Sequence, residues 1–241
     1  MKILITNDDG ISAAQLVPLI RWCKKLGDVT VVVPKFEQSG KSHSIEIHAP
    51  FEAKQVELGP GITAWAVDST PADCVRFACS GLKLDFDLAI SGINRGLNLG
   101  HDTMYSGTFS AACEAVNNGI KAVAISTSVK YYDLAVNHLD EILAFFREHQ
   151  LLDKNDLYNV NIPVVPKGIR ITRQGGPYYL EDFQAMENDM YCPVGRPSQT
   201  DSDDLTLDTV AQQHGYIGIS PMTTNRTQWD VFYSLKKLND V

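Results

Sequence analysis

The feature of this sequence that most constrains its fold is the alternation of short apolar runs with helix-like stretches over residues 1–150. Continuous apolar runs bounded by turn residues are typical of strands buried on both faces of a parallel sheet. Strands joined by helices form a doubly wound sheet with right-handed crossovers. We therefore expect an α/β fold with a Rossmann-like, doubly wound and mainly parallel sheet. The strands predicted in this way are residues 2–6, 29–33, 87–91 and 122–126.

Four stretches between and after these strands carry helix signals. Ser12 is a plausible N-cap for the first helix, and Pro18 either kinks that helix or belongs to its first turn. Pro71 suits the first position of the second helix. The predicted helices are residues 12–26, 71–77, 107–119 and 132–150, and residues 45–67 are expected to be extended, with a turn at 59–61.

The pattern changes at Tyr158, where short extended pieces with Pro and Gly replace the alternation. Such pieces indicate hairpins and an arm, and hairpin arms often pair or exchange between subunits. A helix at 203–214 and a strand at 216–220 follow. We expect one domain over residues 1–241, with a core of about 1–157 and 200–225, an arm of about 158–199 and a tail of 226–241.

Composition excludes several classes of protein. The net charge of −8 argues against binding to a nucleic acid duplex or to an anionic membrane surface. The five cysteines form no CxxC pair, which favours a reducing compartment over a disulfide framework. The sequence has no signal-peptide pattern and no apolar run of the roughly 20 residues that a membrane span needs. We therefore expect a cytoplasmic protein.

An acidic turn, Asn7-Asp8-Asp9-Gly10, directly follows the first predicted strand. In open α/β sheets, ligands bind at the carboxyl ends of the strands, where this turn lies. Adjacent carboxylates repel each other, so a fold that crowds Asp8 and Asp9 usually supplies a cation. The alternative is an Asx turn that only caps the next helix.

Two further polar loops are expected at the same edge of the sheet. Ser39 lies in the loop after the second strand, and Asn94 follows the strand at 87–91. Each residue alone has a simple structural explanation, since Ser and Asn are common in turns. Together with Asp8 and Asp9 they can supply the hard oxygen ligands that Mg²⁺ and Mn²⁺ prefer, which indicates a site for a divalent cation.

The glycine-rich stretch SGINRGLNLGHDTMYSGT ends at the start of a predicted helix. Ser106, Gly107 and Thr108 would present free N–H groups, two hydroxyls and the positive end of the helix dipole, which is an arrangement that binds phosphate. The structural alternative is a simple N-cap on a closely packed helix. Neither a Walker A sequence nor a GxGxxG fingerprint is present. The acidic first loop and the later anion site together indicate metal-dependent phosphoryl chemistry.

The ordered set NDDG, QSG, TPADCV, SGIN, YSGT and NVNIP resembles the SurE family (survival protein E, 5'/3'-nucleotidase) over nearly the whole chain. The resemblance implies a metal-dependent phosphomonoesterase that acts on nucleoside monophosphates. It also implies a hairpin arm exchanged in homodimers or homotetramers. Carried over residue by residue, the resemblance implies one divalent cation per subunit on Asp8, Asp9, Ser39 and Asn94, and a phosphate cradle of Asn98, Ser106, Gly107 and Thr108.

Asp8 and Asp9 are the predicted catalytic residues, and two mechanisms remain open for them. The nucleophile is either water activated by the metal or the Asp8 carboxylate itself. A preference for 5'- or 3'-monophosphates also stays open. The rival function of another class is a nucleotide-sensing module that binds metal and phosphate without turnover. Steady release of phosphate from AMP separates the enzyme from the sensor.

Overall fold

The computed structural model describes residues 1–198 and 201–240. A nine-stranded sheet forms the centre of the described chain, in the order β3-β4-β2-β1-β5-β6-β7-β11-β8, and β9 pairs with β10 in a separate hairpin. The strands are β1 Lys2–Thr6, β2 Asp28–Pro34, β3 Ala53–Gly59, β4 Ile62–Val67, β5 Leu88–Arg95, β6 Lys121–Thr127, β7 Leu157–Ile162, β8 Ile169–Ile171, β9 Tyr179–Ala185, β10 Tyr191–Pro197 and β11 Ile217–Pro221.

Most neighbouring strands of the large sheet run parallel, which confirms the predicted fold class. Only the β3–β4 and β7–β11 pairs of this described sheet are antiparallel. Strands β4, β2, β1, β5, β6 and β7 therefore point the same way. Their carboxyl ends meet at one edge, so the loops that follow β1, β2 and β5 lie there together.

Helical segments cover both faces of the sheet. A single π-helical turn follows the second helix at Phe77–Gly81, and two longer segments, Gly100–Tyr105 and Val129–His138, are 3₁₀ helices. No helix of the described residues is long and apolar enough to cross a membrane. The α-helices are α1 Leu16–Cys23, α2 Pro71–Arg76, α3 Gly107–Asn117, α4 Leu139–Glu148, α5 Leu151–Lys154, α6 Asp208–Gln213 and α7 Trp229–Leu235.

The apolar core divides into two layers, one on each face of the sheet. Ile3 and Ile5 of β1 face one layer, with α1 and α4, whereas Leu4 faces the other, with α2 and α3. This division follows from the alternation of side chains along a strand. The small residues Ala111 and Ala115 are fully buried, so α3 packs close to the sheet.

Two predicted helices differ from the observed ones. Helix α1 begins at Leu16 rather than near Ser12, because consecutive turns occupy residues 11–15, and Pro18 falls in the first turn of the helix. The predicted helix 132–150 is a 3₁₀ helix as far as His138 and an α-helix from Leu139. The 3₁₀ helix ends in Val, Asn and His, which are weak formers of α-helix.

The predicted boundary of the arm at residue 158 is wrong. Every residue of β7 is buried, and the strand pairs with β6 and β11 inside the large sheet. The stretch YNVNIP has the pattern of a short extended piece ended by Pro, which predicts part of an arm, but its two asparagines bond to a buried loop. The exposed hairpin consists of β9 and β10 only. Residues 199 and 200, at the predicted return to the core, and residue 241 lie outside the described residues.

Two valines, one in β7 and one in the loop after it, give a direct test of this boundary. Val160 is 0% exposed and Val165 is 70% exposed. Val160→Ala should lower the free energy of unfolding by about 2 kcal/mol, because two buried methyl groups and their packing are lost. Val165→Ala should lower it by less than about 0.5 kcal/mol. Urea denaturation of both variants measures the difference, and equal midpoints would contradict a central position for β7.

Candidate active site

The acidic turn after β1 is braced by its own asparagine. The Asn7 side-chain amide donates to the Gly10 carbonyl, and the Gly10 N–H donates to Asn7 Oδ1, each at 3.1 Å. Gly10 has a φ of +84°, and a Cβ there would lie 2.9 Å from the Phe36 carbonyl carbon. Glycine is therefore required both by the turn and by the close approach of the loop after β2. The Asn7 side chain thus closes the turn over three residues, and the turn holds two carboxylates that contact different elements.

Asp8 packs against the first turn of α3. Its side chain is only 4% exposed, and the Thr108 hydroxyl donates to Asp8 Oδ1. A Cβ on Gly107 would lie 2.9 Å from the Asp8 Cβ, so α3 reaches the carboxylate only because glycine begins the helix. A buried anion and a helix N-terminus consequently meet at one point, although they are 100 residues apart in the chain.

Asp9 points toward β5 and the 3₁₀ helix instead. The Arg95 backbone N–H donates to Asp9 Oδ2 at 3.0 Å, and the Tyr132 hydroxyl lies 3.4 Å from the same oxygen. Asp9 is half-buried. The contact with β5 follows from strand order, since β5 is the sheet neighbour of β1 and Thr6 is in register with Ser91.

Both carboxylates hold their protons more tightly than aspartates in water. Burial raises the pKa of Asp8 from 3.8 to about 6, and the nearby Asp9 adds to the rise, while the bond from Thr108 opposes it. Burial also raises the pKa of Asp9, and the Arg95 N–H opposes that rise. The site thus crowds two acidic groups whose ionisation a cation would favour.

The two neutral candidate ligands lie on elements next to this turn. Ser39 is in the loop after β2, whereas Asn94 is within β5, which continues to Arg95 beyond the predicted strand 87–91. The Gln38 N–H donates to the Asp8 carbonyl at 2.7 Å, which ties the loop carrying Ser39 to the acidic turn. Ser39 itself is exposed, and its hydroxyl donates to Glu37 at 2.7 Å rather than to either aspartate. The Asn94 amide nitrogen donates to the Gly96 carbonyl at 2.9 Å, so its oxygen is the atom suited to a cation.

The donor set suits a hard divalent cation. Within residues 1–198 and 201–240, no three His, Cys, Asp or Glu side chains form a group that could hold a metal ion. The predicted set contains only two carboxylates and two neutral oxygens, all of the type that Mg²⁺ and Mn²⁺ prefer. A cation held by so few protein ligands keeps positions for water or substrate oxygens.

The start of α3 fits both interpretations of the sequence YSGT, that of a helix N-cap and that of an anion-binding helix N-terminus. Ser106 is the N-cap, and its Oγ accepts from the Phe109 N–H at 3.0 Å. The Thr108 hydroxyl is used on Asp8. The N–H groups of Gly107 and Thr108 belong to the first turn, which has no carbonyl partners within the helix. These two N–H groups, and not the hydroxyls, are therefore the donors suited to an anion.

Asn98, the fourth predicted cradle residue, is buried among polar side chains. Its amide nitrogen donates to Ser126 Oγ at 2.7 Å, and its backbone bonds to two asparagines of β7. Sequence reasoning did not identify these contacts, because Ser126 and the β7 asparagines are distant from Asn98 in the chain and only strand order makes them neighbours.

Sequence reasoning also missed a polar cavity of about 590 Å³ beside Asp9. Among its lining residues are Ser12, Glu37, Arg95, Tyr132 and Asp133. The 3₁₀ helix supplies two of them, and the sequence predicts only a helix over residues 132–150 there. No local signal marks Tyr132 as a neighbour of Asp9, since 123 residues separate them.

Comparison with known proteins gives consistent matches over the chain. A sequence profile of the family described as survival protein SurE matches residues 3–181. The 5'-nucleotidase SurE of Pelotomaculum thermopropionicum is 38% identical, with 99% of this chain and 95% of that protein aligned. The 5'-nucleotidase SurE of Petrotoga mobilis is 36% identical over 100% of both chains. The crystal structure of the SurE protein from Aquifex aeolicus has a TM-score of 0.82 at 29% identity, covering 100% of both chains.

The raised pKa of Asp8 predicts how metal-free protein responds to pH. The Asp8 carboxyl has its ordinary pKa of 3.8 in the unfolded chain and a pKa of about 6 in the folded protein. The free energy of unfolding therefore falls as the pH rises from 3.8 to about 6, because the unfolded state loses its proton first. Asp8→Asn removes this loss of stability and keeps an acceptor for Thr108. The variant should gain up to about 3 kcal/mol in free energy of unfolding at pH 7.5 and nothing near pH 3.

Denaturation of EDTA-treated protein at several pH values measures this gain. Asp85→Asn is the matched control, because Asp85 is exposed and its carboxylate stays in water. A gain for Asp8→Asn that does not change between pH 3 and pH 7.5 would rule out ionisation of Asp8 as its cause.

Proposed function

This chain belongs to the survival protein SurE family, and on that premise we propose that it is a divalent-metal-dependent phosphomonoesterase that hydrolyses nucleoside 5'-monophosphates to nucleoside and phosphate. The curated relatives that match it over nearly their whole length are named 5'-nucleotidases, which supports a nucleotidase activity. The resemblance of its ordered motifs to this family is thereby confirmed.

One observation carries the chemical part of the proposal, namely the contact between Asp8 and the first turn of α3. A carboxylate that is suited to a cation touches a helix N-terminus that is suited to an anion. A phosphate group bound between them would interact with both. Such an arrangement stabilises the charge that develops on phosphate oxygens during transfer, which is the main requirement of phosphoryl transfer.

In this proposal one Mg²⁺ or Mn²⁺ per subunit is held by Asp8, Asp9, Ser39 and Asn94. The raised pKa of Asp8 and the crowding of Asp9 support a cation at this point, since it would offset both buried charges. Ser39 is exposed and would turn its hydroxyl from Glu37 to reach the cation. When bound, the cation would supply Lewis-acid polarisation of a phosphate oxygen.

In this proposal, groups of the protein itself bind the remaining phosphate oxygens. The N–H groups of Gly107 and Thr108 would hold them, with the Ser106 cap fixing the start of the helix and Asn98 on the other side of the cradle. Thr108 also orients Asp8 through its hydroxyl. Residues 106–108 thereby link the position of the anion to the position of the catalytic carboxylate.

The proposal extends to assembly and location. The hairpin β9–β10 is exposed along its whole length, and α7 exposes the apolar side chains Trp229, Phe232 and Leu235. Apolar surface of this kind supports self-association, as a homodimer or a homotetramer. The free cysteines of the described chain support a reducing compartment, and we propose the cytoplasm. The substrate is a nucleoside monophosphate and not a nucleic acid duplex.

The first test removes the charge of Asp8. Asp8→Asn should lower Mn²⁺-dependent release of phosphate from AMP by about a hundredfold or more, because the cation loses a charged ligand. The variant is expected to be folded, so its inactivity cannot be attributed to unfolding. The measurement is steady-state phosphate release under excess AMP. Full activity of Asp8→Asn, or undiminished wild-type activity in excess EDTA, would refute the proposal.

A second test concerns the hydroxyl that orients Asp8. Thr108→Val should reduce kcat/KM for AMP by about tenfold or more, since the buried carboxylate loses its hydrogen bond. Thr172→Val is the matched control, because Thr172 is also buried and bonds to Ser220 at 2.8 Å near the far edge of the sheet. Its kcat/KM should stay within about twofold of wild type. Equal losses in the two variants would indicate a general effect on packing.

A further inference from the structure

The loop after β5 crosses the carboxyl ends of β6 and β7 before it reaches α3. The Gly96 N–H donates to the Thr127 carbonyl at the end of β6, at 2.9 Å. Two residues later the backbone of Asn98 reaches β7. This part of the loop lies between the predicted metal ligand Asn94 and the start of α3, so it connects the two halves of the candidate site.

Asn161 of β7 pairs with both main-chain groups of Asn98. Its Oδ1 accepts from the Asn98 N–H at 2.8 Å, and its Nδ2 donates to the Asn98 carbonyl at 3.0 Å. The side-chain amide thus takes the place of a neighbouring strand for one residue. Asn159, two residues earlier on the same face of β7, donates to the same carbonyl at 2.8 Å. Both asparagines are only 1% exposed.

Ser126 of β6 holds the side chain of Asn98. Its Oγ lies 2.7 Å from Asn98 Nδ2, and a serine hydroxyl can accept or donate. The backbone and the side-chain amide of Asn98 are therefore both restrained before any ligand binds. Restraint of this kind lowers the entropy that a binding group loses when it meets its ligand.

We propose that Asn161, assisted by Asn159 and Ser126, is a positioning residue for phosphate binding that acts through Asn98. The proposal rests on the proposed function, in which Asn98 contacts the substrate phosphate. None of the three residues needs to touch the substrate. Their task is to present the Asn98 amide at the carboxyl edge of the sheet, beside the ends of β6 and β7.

The same strand offers a matched comparison at its other end. Asn155 precedes β7, and its Nδ2 donates to the carbonyls of Leu157 at 2.6 Å and Met222 at 3.0 Å. It also uses a side-chain amide to hold two backbone groups. Because Asn155 lies at the amino end of β7, it is at the edge of the sheet opposite to the carboxyl edge that carries the candidate site. Loss of the Asn155 side chain should therefore lower the stability of the fold without changing the affinity for phosphate.

The experiment compares Asn161→Ala with Asn155→Ala in the full chain with saturating Mn²⁺. We expect Asn161→Ala to raise KM for AMP and the inhibition constant of inorganic phosphate by about tenfold each. The Mn²⁺ concentration for half-maximal activity should change by less than about twofold, because the metal ligands are untouched. Asn155→Ala should leave the KM and the inhibition constant within about twofold of wild type.

Unchanged phosphate inhibition in Asn161→Ala, or equal shifts in Asn155→Ala, would overturn the proposal. If Asn161→Ala does not fold, Ser126→Ala decides, since it removes a single hydroxyl and should raise the phosphate inhibition constant about threefold or more; no rise would overturn the proposal. Failure of the proposed function is distinct, because wild-type protein would then release no phosphate from AMP.

Discussion

The site depends on one contact, that between the buried Asp8 side chain and the first turn of α3. Burying a carboxylate is costly unless hydrogen bonds or a cation compensate it. Thr108 supplies one hydrogen bond, and the raised pKa of Asp8 shows that this compensation is incomplete. Under the proposed function, a cation would offset the remaining cost, and the neighbouring helix N-terminus would attract an anion. The proposed phosphatase chemistry follows from this combination.

The sheet makes that contact possible by bringing distant loops to one edge. Strands β2, β1, β5, β6 and β7 are successive neighbours and run parallel, so their carboxyl ends lie side by side. Glycine allows the close approaches, at Gly10 beside Phe36 and at Gly107 beside Asp8. The small residues of α3 let the helix sit close to the sheet. The polar ends of β6 and β7 bond to the loop that carries Asn98, so under the proposed function these strands would support the phosphate cradle as well as form the sheet.

Much of the fold could be predicted from the sequence, because the strands of the first half are apolar runs with clear turn signals. The elements that could not be predicted are those whose position or boundary depends on tertiary contacts. Strand β7 is a short extended piece followed by Pro, a pattern that predicts an arm, yet it lies inside the sheet, where its two asparagines bond to a buried loop. The start of α1 and the 3₁₀ helix before α4 were also misjudged, since boundaries depend on weak local preferences that tertiary contacts override.

The sequence by itself determined the fold class, the family, and the residue types gathered after β1, after β2 and at the end of β5. These follow from local periodicity and from motifs that are contiguous in the chain. Only the tertiary structure decided which atoms meet. Thr108 binds Asp8 instead of standing free in the cradle, Ser39 bonds to Glu37, and Asn161 pairs with the backbone of Asn98. These contacts join residues that strand order, and not sequence proximity, makes neighbours. A one-dimensional pattern contains residue types and spacings, whereas hydrogen bonds depend on distances that exist only after the sheet has formed.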